Sequence, residues 1–300
     1  DIKISLAVMD LFTGLATEIK GASFPGSSDR INFSVREPLG VVARIVPFNH
    51  PMMFTCIKSV APLIAGNAVI IKPSVTGIGE ALMIAECFDR AGVPKGLVNV
   101  VPCRRDVAGY MVSQKDVSLI TITGGTAAAD ALAKIAGAKP FVGELGGNSA
   151  NIVCSDADIV DAAKRIVPSA FEASGQQCIS AQRIIVERKV LESFLEHFKS
   201  ATMKLSVGDP SLETTDVGTM INLSAAERVE KMVTVSVKSG AEEIIPFKRG
   251  GAVVCPTILM TDNLDVEVVA EEIFGPVAVV IPSENLDDAI RVANNSVFGL

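Results

Sequence analysis

A chain of 300 residues, 49 % of them apolar, has room for two domains and an ample core. Its net charge of −7 forms no basic stripe, which argues against nucleic acid as a partner. Its mean hydropathy of +0.42 comes from many short apolar segments, none near the ~18 residues of a membrane span.

Ile4 to Lys20 reads as a helix, with Leu6, Met9, Leu11, Leu15 and Ile19 on a 3–4 spacing. The turn-rich stretch from Gly21 to Asp29 leads to an alternating strand, Ile31 to Val35, and together these form a hairpin arm. A regular alternation follows. Strands are expected at Val41–Val46, Ala68–Lys72, Leu97–Val101 and Ser118–Ile122, and helices near Met52–Ala65, Gly79–Ala91, Val107–Gln114 and Ala127–Ala136. That order indicates βαβ units and a doubly wound parallel sheet. Strands Phe141–Glu144 and Asn151–Cys154 flank Leu145-Gly146-Gly147-Asn148, where the glycine pair marks a domain boundary. A second α/β set is expected beyond it. Its helices are Ala157–Ala173, Leu191–Met203, Ser224–Ser239 and Leu286–Ala293, and its strands Arg183–Glu187, Thr257–Met260 and Val277–Ile281. Ser224 with Glu227 three residues on has the spacing of a capping box.

The chemistry centres on Ala173-Ser174-Gly175-Gln176-Gln177-Cys178, a polar connection between a helix and a strand. By itself Cys178 reads equally as a nucleophile or as core. Cys56, Cys87, Cys103, Cys154 and Cys255 have apolar neighbours and are expected to be buried and inert. Six cysteines without short paired spacings, and only two histidines, suggest neither a disulfide framework nor a metal site. Ile2 to Leu6 is too short for a signal's apolar core, and a reducing cytoplasmic setting is expected.

Six stretches occur in one order: Pro47-Phe48-Asn49-His50-Pro51, Lys72-Pro73-Ser74, Thr123-Gly124-Gly125-Thr126, Glu144-Leu145-Gly146-Gly147, Gly175-Gln176-Gln177-Cys178 and Glu272-Ile273-Phe274-Gly275-Pro276. Glu144 precedes Cys178 by 34 residues. In order and separation these resemble the aldehyde dehydrogenase superfamily, from about Leu15 to Leu300. The resemblance implies a doubly wound coenzyme domain over 1–20 and 37–146, an oligomerisation arm over 21–36, and an α/β catalytic domain over 147–300. It also implies that this chain is the central part of a longer protein, lacking the front of the coenzyme domain and the tail of the catalytic one.

The resemblance assigns roles. Cys178 would attack an aldehyde, and the oxyanion would be held by the Asn49 amide and the Cys178 N–H. Glu144 would activate the water that hydrolyses the thioester. Taken alone, Asn49 is a turn residue beside prolines and Glu144 a solvated strand end. NAD or NADP would be bound by Pro47, Phe48, Lys72, Ser74, Thr123, Gly124, Gly125, Thr126, Leu145 and Gly146. Glu272 would hold the nicotinamide ribose and Phe274 would pack on the nicotinamide; Phe274 reads equally as core. Val75 stands where NAD-preferring relatives place Glu, and Ala129 where many carry Gly. A homodimer or homotetramer is implied. Rival readings are a CoA-acylating dehydrogenase, which would need no Glu144; a cysteine hydrolase pairing Cys178 with His50; and an inactive oligomer-forming fragment.

Overall fold

The computed structural model describes residues 1–300, which divide into two compact units, Asp1–Leu145 and Gly146–Leu300.

In the first unit, helix α1 (Ile2–Gly14) precedes a two-stranded antiparallel hairpin, β1 (Ser23–Phe24) and β2 (Asn32–Phe33), with Ser23 opposite Phe33. Both elements are shorter than expected. The helix stops at Gly14, and only two residues of Ile31–Val35 pair, because β1 offers a partner of just two residues. Then come β3 (Val41–Ile45), α2 (Pro51–Ile64), β4 (Ala68–Lys72), α3 (Ile78–Arg90), β5 (Val98–Val100), α4 (Arg105–Ser113), β6 (Val117–Thr123), α5 (Thr126–Ala136) and β7 (Phe141–Glu144). The five strands β3 to β7 form one wholly parallel sheet in the order β5-β4-β3-β6-β7. Period-two alternation sends β3 side chains to both faces. Ala43 and Ile45 pack with Ile120 and Ile122 against Met111 and Val112 of α4 and Leu132 of α5. On the other face Val46, Val69 and Ile71 pack against Phe54 and Leu63 of α2.

The second unit contains β8 (Ala150–Val153), α6 (Ile159–Phe171), β9 (Arg183–Glu187), α7 (Leu191–Thr202), α8 (Leu223–Lys238), β10 (Glu242–Ile245), β11 (Arg249–Gly250), β12 (Val253–Val254), β13 (Thr257–Met260), α9 (Glu267–Ala270), β14 (Val277–Ser283) and α10 (Leu286–Asn294). Its main sheet runs β10-β13-β14-β9-β8, parallel except for β10. Ile184 and Val186 of β9 face Phe171 of α6 and the stacked Phe194 and Phe198 of α7. Ile185 between them faces Val229 and Val233 of α8. Burial on both faces explains the near-continuous apolar runs of these strands.

Two local expectations are corrected. The cap of α8 is Asn222, whose side chain accepts the Ala225 N–H at 2.8 Å, while Ser224 lies inside the helix and donates to Asn222 Oδ1. Of the five cysteines expected to be buried, only Cys56 is; Cys87 is exposed, and Cys103, Cys154 and Cys255 are partly so. No helix is long and apolar enough to cross a membrane, and no three or more His, Cys, Asp or Glu side chains gather as metal ligands.

Candidate active site

In the parallel sheet of the first unit the chain leaves β3 for β4 on one side, and β6 lies on the other. The carboxyl ends of the strands at such a reversal are the usual place for a ligand in sheets of this kind. The expected coenzyme residues of this unit lie at that edge. Pro47, Phe48 and Asn49 follow β3; Lys72 ends β4, with Ser74 just beyond; Thr123 ends β6 and leads through Gly124 and Gly125 into α5 at Thr126; Glu144 ends β7, followed by Leu145. His50 caps α2 in the left-handed region, φ 47°, ahead of Pro51 at the first helical position. Such a backbone costs a non-glycine residue roughly 1–2 kcal/mol, so the turn carrying Asn49 is held by its surroundings.

Glu144 lies opposite Thr123 in the β6–β7 register, and its carbonyl accepts the Gly124 N–H at 3.0 Å. Its exposed carboxylate accepts from Lys58 Nζ at 2.8 Å. Sequence reasoning missed Lys58, although a signal existed: it is the sole charged residue in α2, otherwise an apolar helix. Arg44 was missed too. Its guanidinium is fully buried, donating to the Phe54 carbonyl through Nε and Nη2 and to Thr123 Oγ1 at 2.9 Å. Burial pulls its pKa down to about 9, opposed by the Glu144 charge.

In the second unit α6 ends at Phe171, and the chain turns through three left-handed residues, Ala173, Ser174 and Gly175, at φ 52°, 57° and 66°. A Cβ on Gly175 would lie 2.1 Å from the Gly275 carbonyl oxygen, so only glycine allows this backbone approach. Gln176 is buried; its Nε2 donates to the Ala173 carbonyl and its Oε1 accepts the Ile221 N–H at 2.9 Å. Cys178, two residues on, is partly exposed, and its carbonyl packs on Gly147, where a Cβ would stand 2.3 Å from it. The Glu272 carboxylate reaches the same glycine pair. Oε1 accepts the Gly147 N–H at 3.0 Å, and a Cβ on Gly146 would meet Oε2 at 2.6 Å. Burial raises the Glu272 pKa, against lowering by the Gly147 hydrogen bond and the Arg228 charge. Arg228 also donates to the Ile273 and Phe274 carbonyls, fixing a bend in which Phe274 has φ 48°. The fold thus gathers Cys178, Gly146 and Glu272 around Gly147, and Gly175 against the bend after Phe274.

The model of the aldehyde dehydrogenase family matches residues 1–300. The chain is 40 % identical over 279 residues to 3-sulfolactaldehyde dehydrogenase of Priestia aryabhattai, covering 93 % of this chain and 58 % of that protein. It is 36 % identical over 284 residues to NADP-dependent glyceraldehyde-3-phosphate dehydrogenase of Streptococcus equinus, covering 94 % and 60 %. The crystal structure of NADP-dependent glyceraldehyde-3-phosphate dehydrogenase from Bacillus halodurans C-125, complexed with NADP, superposes with a TM-score of 0.94 at 31 % identity, covering all of this chain and 64 % of that one. The chain spans about three-fifths of the length of these relatives. With its whole length matched and its fold shared, the chain belongs to the aldehyde dehydrogenase family.

Proposed function

We propose that the protein is an NAD(P)-dependent aldehyde dehydrogenase that oxidises an aldehyde to a carboxylic acid through a thioester on Cys178. The observation that carries this reading is the family match over residues 1–300. The left-handed turn that presents Cys178 next to the glycine pair bound by Glu272 supports it.

The residues of the first unit fit a dinucleotide. At the start of α5 a Cβ on Gly125 would meet nothing within 4 Å and one on Gly124 nothing nearer than 3.8 Å, so the helix N-terminus is open to a phosphate. Lys72 at the end of β4 and Ser74 just beyond would take the adenosine ribose. With Val75 exposed beside them, no carboxylate stands there to repel a 2′-phosphate, and NADP is accepted as well as NAD. Thr123, Gly124, Gly125 and Thr126 would hold the pyrophosphate, with Pro47, Phe48, Leu145 and Gly146 lining the site. Glu272 would hold the nicotinamide ribose and Phe274 pack on the ring. The coenzyme's oxidised nicotinamide supplies the hydride acceptor.

The Cys178 thiolate attacks the aldehyde carbon and forms the C–S bond. The family resemblance implies that the resulting oxyanion would be held by the Asn49 amide and the Cys178 N–H; one such donor is worth about 10²–10³ in rate. Loss of hydride from that carbon leaves the thioester. Glu144 then takes a proton from water as the water attacks the acyl carbon, and the C–S bond breaks to return the thiolate and release the acid. The protein acts in the cytoplasm as a homodimer or homotetramer, with the exposed hairpin β1–β2 as the contact arm.

The test is Glu144→Gln in the full-length protein, mixed rapidly with aldehyde and either coenzyme. We expect a burst of reduced nicotinamide, then a stall, with the acyl group on the Cys178 peptide by mass spectrometry. A general base is worth about 10²–10⁴-fold, so unimpaired turnover would remove Glu144 from the role. Aldehyde-independent ester cleavage without coenzyme would favour the hydrolase reading instead.

A further inference from the structure

Gln182 immediately precedes β9, four residues after Cys178, and its side chain is buried. Nε2 donates to the Glu271 carbonyl at 2.7 Å, to Asn148 Oδ1 at 3.0 Å and to the Val268 carbonyl at 3.3 Å. Oε1 accepts the Ile273 N–H at 2.7 Å. The two shortest bonds therefore grip the backbone on either side of Glu272. The segment from Glu271 to Pro276 belongs to no helix or strand; backbone bonds hold its ends, from the Glu271 N–H to the Glu267 carbonyl and from the Thr257 N–H to the Pro276 carbonyl, both 3.0 Å, and the Gln182 side chain supplies the partners on either side of Glu272.

Asn148 closes the circuit. Its Nδ2 donates to the Val269 carbonyl at 2.8 Å, and it directly follows Gly147, whose N–H binds the Glu272 carboxylate at 3.0 Å. Arg183, next to Gln182, donates to the Asn148 carbonyl at 2.9 Å and to the carbonyls of Val292 and Ala293 at the end of α10. A buried amide is costly unless fully bonded, and here three of its four bonds, to Glu271, Ile273 and Asn148, also fix a neighbour of Glu272 or its anchor.

We propose that Gln182 is a positioning residue for Glu272: with Asn148 it holds the Glu272 carboxylate at Gly147 and so sets where the nicotinamide ribose is gripped relative to Cys178. This rests on the reading of Glu272 as a ribose ligand. Gln182 touches no reacting atom, and its effect runs through coenzyme binding.

The experiment is a double-mutant cycle in the full-length protein, reading the coenzyme KM, kcat and the dissociation constant of reduced coenzyme by its fluorescence. Gln182→Met keeps length and burial but removes the four hydrogen bonds. We expect the coenzyme constants to weaken about tenfold, the aldehyde KM to move little, and Glu272→Ala to erase the difference. Asn148→Ser is expected to show a smaller effect with the same dependence, which covers the case in which Gln182→Met does not fold. Effects that multiply with Glu272→Ala, or unchanged coenzyme constants in Gln182→Met, would overturn the inference. If Glu272→Ala itself left the coenzyme constants at wild type, the ribose role of Glu272 would fall, and the inference with it.

Discussion

Gly175→Ala tests whether the turn before Cys178 is held by backbone packing. The residue has φ +66°, and an added Cβ would stand 2.1 Å from the Gly275 oxygen, 2.4 Å from its carbon and 2.9 Å from Pro276 N. All three are backbone atoms, so no side chain can swing aside. Left-handed backbone alone costs alanine about 1–2 kcal/mol. Relieving the overlap requires the two segments to part by roughly 1 Å, given ordinary carbon contact distances. That puts at risk the Val277 N–H to Gly275 carbonyl bond of 2.8 Å and the Gln176 N–H to Ala173 carbonyl bond of 3.2 Å, each worth about 1 kcal/mol. The expected loss is about 3–4 kcal/mol. Gly92→Ala is the control: φ is +78° with nothing within 4 Å, so it bears the left-handed strain alone, about 1–2 kcal/mol. Thermal unfolding separates the two at about 2–4 °C per kcal/mol for a unit of this size. Iodoacetamide labelling should show an altered rate at Cys178 in Gly175→Ala only. Equal losses in both variants, with Cys178 labelled at the wild-type rate, would refute the reasoning.

The cysteines differ in packing, and labelling at pH 8 should show it. Cys56 is buried and its pKa is pushed up to about 11 by burial first and by Cys87 second, leaving about one thiol in a thousand ionised. Exposed Cys87 should be alkylated without loss of turnover, Cys178 with complete loss, and Cys56 not until the protein unfolds; early labelling of Cys56 would contradict the packing of α2. Glu272→Gln should raise the melting temperature at pH 7 while weakening coenzyme binding. The raised Glu272 pKa means the folded state holds that proton more tightly than the unfolded chain, so wild-type stability falls as pH rises through the window from the ordinary glutamate value upward. The gain from Gln should therefore shrink as pH is lowered below that window, and a gain that grew on acidification would reverse the assignment.

The sequence carried the alternation of strands and helices from Val41 to Ala136, because apolar runs of four to seven residues bounded by glycine, proline and asparagine leave few other foldings. It also carried the family resemblance, since the motif stretches are local and ordered. It missed β10, β11, β12 and α9: two are two-residue strands, one is a four-residue helix, and β10 begins with two glutamates. Its reading of cysteines from their neighbours failed because burial depends on which side of a helix meets the core. Cys56 and Cys87 both have apolar neighbours, yet Cys87 lies on the outer side of α3. The cap of α8 went to Asn222 rather than Ser224 because the chain leaves the extended region there, at φ −162° and ψ 172°, two residues earlier than the serine.

What local sequence determined was periodicity, turn chemistry and the order of reactive residues, all properties of neighbours along the chain. What only the tertiary structure decided was which polar groups meet. Arg44 sits in a strand that reads as core, and its bond to Thr123 spans 79 residues. Gln182 lies in a stretch with no motif of its own, and its bonds to Glu271 and Ile273 span 89 and 91. Such contacts follow from strand register and from the approach of Gly175 to Gly275, where backbone meets backbone because no Cβ intervenes.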